Sequence, residues 1–155
     1  MADPPVVGED ALDSRRLVYR RWVHYQPPSV LVVAFNGHVF GLSPTNGAHL
    51  WEREVRGFYP RLQALHDRVL VLASGKLHCL ALANGATLWE VALGFSDEAT
   101  LLCDGTIAFV ASLGEVATLL VADGRVLWRD AFKGKGNGEV ALAVPGLAAQ
   151  FDRVR

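Results

Sequence analysis

Gly47-Ala48-His49-Leu50-Trp51, Gly85-Ala86-Thr87-Leu88-Trp89 and Gly124-Arg125-Val126-Leu127-Trp128 are three copies of one five-residue signature. The tryptophans stand 38 and 39 residues apart, and a second glycine precedes each motif glycine by ten positions, at Gly37, Gly75 and Gly114. A period near forty residues marks an array of similar supersecondary units, which bury their apolar faces only by stacking on one another.

Working outward from each signature, the pattern is β. Val30–Phe35, Arg68–Ala73 and Thr106–Ala111 are short and almost continuously apolar, as expected of strands covered on both faces. Each runs into Asn36-Gly37, Ser74-Gly75 or Leu113-Gly114, where glycine supplies the positive φ of a tight reversal. A second strand follows, and then a second reversal at Asn46-Gly47, Asn84-Gly85 or Asp123-Gly124, which reads as another hairpin turn and launches the Leu-Trp strand. Upstream lies one more candidate strand per repeat, at Trp22–Tyr25, Arg61–Leu65 and Thr100–Cys103.

The expected fold is all-β, a row of four-stranded antiparallel meanders of the kind that make β-propeller blades. Blade 1 is expected over about 17–55, blade 2 over about 61–93, blade 3 over about 98–132, and a partial blade 4 over about 139–155. Together they form one propeller segment, 15–155, after a flexible tail at 1–14. Trp51, Trp89 and Trp128, with Gly37, Gly75, Gly114, Gly47, Gly85 and Gly124, are expected to be the blade-packing residues, each tryptophan sealing one blade against the next. Phe58, Phe95 and Phe132 recur after the tryptophan strands and read as further packing anchors.

Gly37-His38-Val39-Phe40-Gly41-Leu42, followed by Thr45-Asn46-Gly47 and Leu50-Trp51, resembles the pyrroloquinoline-quinone-like (PQQ-like) propeller repeat, and similar matches recur from Gly75 to Trp89 and from Gly114 to Trp128. The resemblance implies the propeller fold and does not extend to the quinone. The aspartate that usually follows the leucine is replaced by Ser43, Ala81 and Leu120, and the adjacent cysteine pair and calcium-binding carboxylates of the quinoprotein dehydrogenases have no counterpart.

Composition restricts function. Of 155 residues, 51% are hydrophobic and 20% charged, so a large share must be buried, and a net charge of −1 argues against nucleic acid as a partner. No apolar run approaches the ~18 residues of a membrane span, and Met1-Ala2-Asp3-Pro4-Pro5 lacks the order of a secretory signal. The expected address is therefore intracellular, cytoplasmic or nuclear, with no membrane involvement. Cys79 and Cys103 read as buried thiols. The five histidines show no zinc spacing and no nucleophile motif is present, so neither an enzyme nor a cofactor is expected. Lys133-Gly134-Lys135-Gly136-Asn137-Gly138 has the wrong order for a phosphate loop.

The repeat count does not close. Three and a half blades fall short of the four to eight of a typical ring. A bare blade face of roughly 350 Å² forfeits up to ~9 kcal/mol. Three remedies exist: the rest of a longer protein, a second copy, or a different subunit. A closed four-bladed monomer is the fourth possibility. The expected role is a non-enzymatic protein-interaction scaffold completed by such a partner in an intracellular complex, with a small-ligand, sugar-like binding propeller as the alternative. Candidate contacts are Arg15, Arg16, Arg20, Arg21, Trp22 and Tyr25 at one end, and Val140, Leu142, Leu147 and Phe151 at the other. The arginine cluster also reads as a charged edge that discourages unwanted strand pairing.

Overall fold

A computed structural model describes residues 29–149. The expected tail, the Trp22–Tyr25 strand, the arginine cluster and Phe151 lie outside the described residues. Among the described residues thirteen strands follow one another as antiparallel meanders. Blade 1 holds β1 (Leu31–Phe35), β2 (His38–Leu42) and β3 (His49–Glu54). Blade 2 holds β4 (Arg61–Ala64), β5 (Arg68–Ala73), β6 (Lys76–Ala81) and β7 (Thr87–Ala92). Blade 3 holds β8 (Ala99–Cys103), β9 (Ile107–Ser112), β10 (Glu115–Leu120) and β11 (Val126–Asp130). A two-stranded sheet, β12 (Leu142–Val144) and β13 (Leu147–Ala149), begins a fourth unit.

The first reversal in each blade is the tight turn expected from its residues. Asn36 and Gly37 both take positive φ, as do Ser74 with Gly75 and Leu113 with Gly114, which gives the type I′ twist that matches the flanking strands. Leu113 at φ 47° is strained, since a Cβ crowds the carbonyl there. The second reversal is wider than a two-residue hairpin. β2 ends at Leu42 and β3 starts at His49, with Ser43 N–H donating to Ala48 O and Gly47 N–H to Ser43 O. Asn46 contributes through its side chain, accepting the Ala48 N–H at 2.9 Å, and Asn84 and Asp123 do the same for Ala86 and Arg125. A register shift sits at the same place in every blade, between Gly41/Leu42, Cys79/Leu80 and Thr118/Leu119.

Strand alternation gives each blade two faces. The forward face of blade 1 carries Val32, Ala34, Val39, Gly41 and Trp51. It packs on Val69, Val71, Ala73 and Leu80, the rearward face of blade 2. Blade 2 repeats the arrangement with Leu70, Leu72, Leu77, Cys79 and Trp89 against Ala108, Val110, Ala117 and Leu119 of blade 3. The two cores therefore lie between blades. That is why β5 and β9 read as continuous apolar runs while the outermost strands β7 and β11 are largely exposed. Cys79 and Cys103 are buried free thiols, and burial pushes both thiol pKa values up.

Candidate interaction surface

The signature residues form a knob and a socket that join successive blades. Trp51, 8% exposed, lies on Gly85 of blade 2 and donates its indole N–H to Leu82 O at 2.8 Å. A Cβ at Gly85 would stand 2.5 Å from Trp51 Cε3, so only glycine lets the ring approach. Trp89 repeats the arrangement on Gly124, again with 2.5 Å to the missing Cβ, and donates to Val121 O at 2.9 Å. Arginines add polar seams beside the rings. Arg53 Nη2 donates to Thr87 Oγ1 at 3.1 Å, Arg61 Nε to Ala99 O at 3.1 Å, and Arg68 Nη1 to Val121 O at 3.2 Å. Arg129 Nη2 donates back to Leu93 O at 2.9 Å while its guanidinium lies 5.0 Å from the Phe95 ring.

At the two ends the pairing is broken. Trp128 is 50% exposed. The junction expected at Trp128 is not completed among the described residues: no socket stands against the ring there, and β12 and β13 cover only part of the forward face of blade 3. They pack on β8, with Thr100 Oγ1 donating to Val140 O at 2.7 Å. Thr118, opposite Trp128 on that face, keeps its hydroxyl buried without a hydrogen-bond partner among the described residues. Conversely, Gly47 is a socket with no knob, since nothing among the described residues stands within 4 Å of its missing Cβ.

Other signature residues divide similarly. Gly75 and Gly114 are closely covered, by the Phe95 and Gly136 carbonyls respectively, whereas Gly37 faces open space. Of the three recurrent phenylalanines only Phe95 is buried, while Phe58 and Phe132 are exposed. The recurrence therefore does not make a common packing anchor. Phe95 alone has the next blade's Arg129 over it. Of the candidate contacts at the C-terminal side, Leu147 is exposed, and Val140 and Leu142 are half-buried beside β8.

Sequence reasoning missed a cleft of about 480 Å3 on blade 1, between the β1–β2 turn and the segment after β3, lined by Phe35, His38, Glu54, Arg56, Phe58 and Tyr59. Its cause is the open space over Gly37, which no local motif announces. Electrostatics elsewhere are modest. Burial holds the His78 pKa below its ordinary 6.5 despite Glu90 Oε1 at 3.5 Å, and two backbone N–H groups, of Ile107 and Thr106, hold Asp104 low.

Comparison with known proteins agrees with the geometry. A family profile described as "Outer membrane protein assembly factor BamB" matches residues 73–148. BamB from Moraxella catarrhalis superposes with a TM-score of 0.56 at 23% identity, over 66% of this chain and 34% of that one. The dihydro-heme d1 dehydrogenase NirN gives 0.57 at 19% identity, over 76% and 28%. Quinohemoprotein alcohol dehydrogenase from Comamonas testosteroni gives 0.51 at 17%, over 66% and 19%. The chain thus spans about a third or less of these structures. A search of curated proteins gives no match. The fold is shared by an assembly factor and by dehydrogenases, so it does not decide catalysis.

One expectation is overturned. The intracellular, cytoplasmic or nuclear address rested on composition and on the first few residues, whereas the repeats match a family described by outer membrane protein assembly. The exclusion of a membrane from the protein's surroundings falls with it. What the repeat register, the tryptophan sockets and the matches agree on is a fold of β-propeller repeats, similar over residues 73–148 to the PQQ-like repeats of the BamB family.

Proposed function

We propose that this chain is a propeller segment acting as a non-enzymatic protein-interaction scaffold, completed by a partner that supplies the missing socket for Trp128. The observation that carries this reading is the contrast between one ring type in three places: Trp51 and Trp89 each have a glycine and a carbonyl from the next blade, and Trp128 has neither among the described residues. The Thr118 hydroxyl opposite Trp128 is buried without a hydrogen-bond partner among the described residues, a desolvation cost of about 1–3 kcal/mol. The partner's chemistry follows from the two filled sockets. It is a β-hairpin with a glycine at its second reversal and a free carbonyl three residues earlier, adding beside β13. Likeness to an assembly factor favours a protein partner over a substrate.

A photoreactive benzoylphenylalanine in place of Leu127, which is exposed beside Trp128, tests the reading. The expected result is one dominant protein adduct whose linked peptide is a hairpin of that type, lost in Thr118→Arg. Diffuse labelling that Thr118→Arg leaves unchanged overturns it. The cleft at Phe35, Phe58 and Tyr59 supports the alternative, a sugar-like ligand stacked on aromatic rings. That reading expects a saturable heat with a saccharide panel, abolished by Tyr59→Ala.

A further inference from the structure

All four asparagines of the chain, Asn36, Asn46, Asn84 and Asn137, precede a glycine. In a flexible peptide that pairing is the most prone to lose the side-chain nitrogen, because the glycine has no Cβ to hinder its amide from reaching the asparagine side-chain carbonyl. The fold treats the four differently. In the second reversals of blades 1 and 2 both reacting groups are engaged. Asn46 Oδ1 accepts the Ala48 N–H at 2.9 Å, while the Gly47 N–H donates to Ser43 O at 2.9 Å. Asn84 Oδ1 accepts the Ala86 N–H at 2.9 Å, the Gly85 N–H donates to Ala81 O at 2.8 Å, and the Trp51 ring lies on Gly85. Asn36 is held through its backbone. It stands at φ 55° in a two-residue turn closed by the pairing of Phe35 with His38, and the Gly37 carbonyl accepts the Val55 N–H at 2.9 Å. Swinging the Gly37 nitrogen onto the Asn36 side chain would open that turn. Asn137 has none of these ties. It lies in the exposed, irregular stretch between β11 and β12, and neither its side chain nor the Gly138 N–H has a hydrogen bond among the described residues. A Cβ at Gly138 would meet nothing within 4 Å, so no packing restrains the amide.

We propose that Asn137-Gly138 is a self-modification site, at which the folded protein converts asparagine to aspartate and isoaspartate while the three turn asparagines stay intact. The Gly138 nitrogen gives up its proton and attacks Asn137 Cγ, the new bond closes a succinimide ring, and the side-chain nitrogen leaves as ammonia. Water then opens the ring at either carbonyl. Breaking the newly made bond gives aspartate, and breaking the original peptide bond gives isoaspartate. Lys133 and Lys135 precede the site and Glu139 follows it, so the balance of charge along the loop favours the amide anion. Either product puts a carboxylate into the loop at 131–141. Isoaspartate also routes the main chain through Cβ, which lengthens a loop that lies tightly on blade 3. A Cβ at Gly114 would stand 2.7 Å from Gly136 O and 3.4 Å from Asn137 Cα. The same loop delivers Val140, whose carbonyl accepts the Thr100 hydroxyl at 2.7 Å, and then β12. Lengthening it loosens β12 and β13 from blade 3. This assignment is independent of what meets Trp128.

The test ages the full chain at mildly alkaline pH in heavy-oxygen water, digests it, and follows each asparagine peptide by mass spectrometry. The Asn137 peptide is expected to take up heavy oxygen and to split into two isomers about tenfold faster than the Asn46 and Asn84 peptides, the factor imposed by breaking one or two hydrogen bonds first. In guanidinium the four rates should converge, because the unfolded chain offers each Asn-Gly alike. Gly138→Ala should slow the reaction at Asn137 and leave the other three sites unchanged. Hydrogen exchange in β12 and β13 should rise in the isoaspartate form and not in Asn137→Asp, which adds the charge without lengthening the chain. Equal rates at the four sites in the folded protein, or a faster site at Asn36, overturn the proposal. Rates that keep their folded order in guanidinium overturn the hydrogen-bond account of it, and unchanged exchange in the isoaspartate form overturns the loosening of β12 and β13.

Discussion

Trp89 and Trp128 sit at the same position of adjacent blades, one repeat apart, and their surroundings have almost nothing in common. Trp89 lies on Gly124 with its N–H on Val121 O, whereas Trp128 is half in solvent. The residue type is identical and so is the local strand. What differs is whether a next blade with a complete second reversal stands in front of the ring. A repeat of this kind therefore carries half of each junction, and the energy of the signature is realised only between units.

The comparison breaks most visibly on truncating the rings. Trp51→Ala removes a buried aromatic and its hydrogen bond, with an expected cost of ~3–5 kcal/mol in urea unfolding, against less than ~1 kcal/mol for Trp128→Ala. Equal losses would mean that Trp128 is covered in solution. The sockets give the next largest contrast. Gly85→Ala and Gly124→Ala meet both the indole and the positive φ, for about 2–4 kcal/mol, while Gly47→Ala meets only the φ, for about 1–2 kcal/mol. Should Gly47→Ala cost as much as the others, its socket is filled.

Arg129→Ala is expected to cost about 1–2 kcal/mol, since Arg129 ties blade 3 to the Leu93 carbonyl and the Phe95 ring and pairs with Glu115 Oε2 of its own blade at 2.7 Å. Arg129→Lys restores only the charge, so a full rescue would assign the effect to the ion pair alone. The smallest effect is a pH dependence at the blade 1 to blade 2 junction. Burial lowers the His78 pKa, so the unfolded chain takes up that proton first as pH falls. Stability should be level above 6.5 and decline as pH drops through 6.5 toward the lower folded value. His78→Gln should flatten that decline, and an unchanged slope would show that Glu90, whose charge favours the protonated form, cancels the burial.

Much of this was legible in the residues because it is local. Asn36-Gly37 and its counterparts announce a reversal through their own φ preferences, and the apolar runs of β5 and β9 announce cover on both faces. The second reversal reads as a hairpin turn, and its width, from Leu42 to His49, is not announced by its residues. The Asn46 side chain replaces a backbone partner there, and a register shift adds a residue, which composition does not report. Phe58, Phe95 and Phe132 look equivalent in the chain and are not, because only Phe95 meets an arginine from the next blade.

By itself the sequence determined the unit: a meander of about 39 residues, its turns, its two apolar faces and the tryptophan that must find a glycine. These follow from side-chain alternation and backbone sterics, which act over a few residues. The tertiary structure decided which glycine each tryptophan finds, and that Gly47, Trp128 and the Phe35 ring are left open among the described residues. Those outcomes depend on contacts between residues more than thirty positions apart, and packing between blades, not the strand pattern within one, selects them.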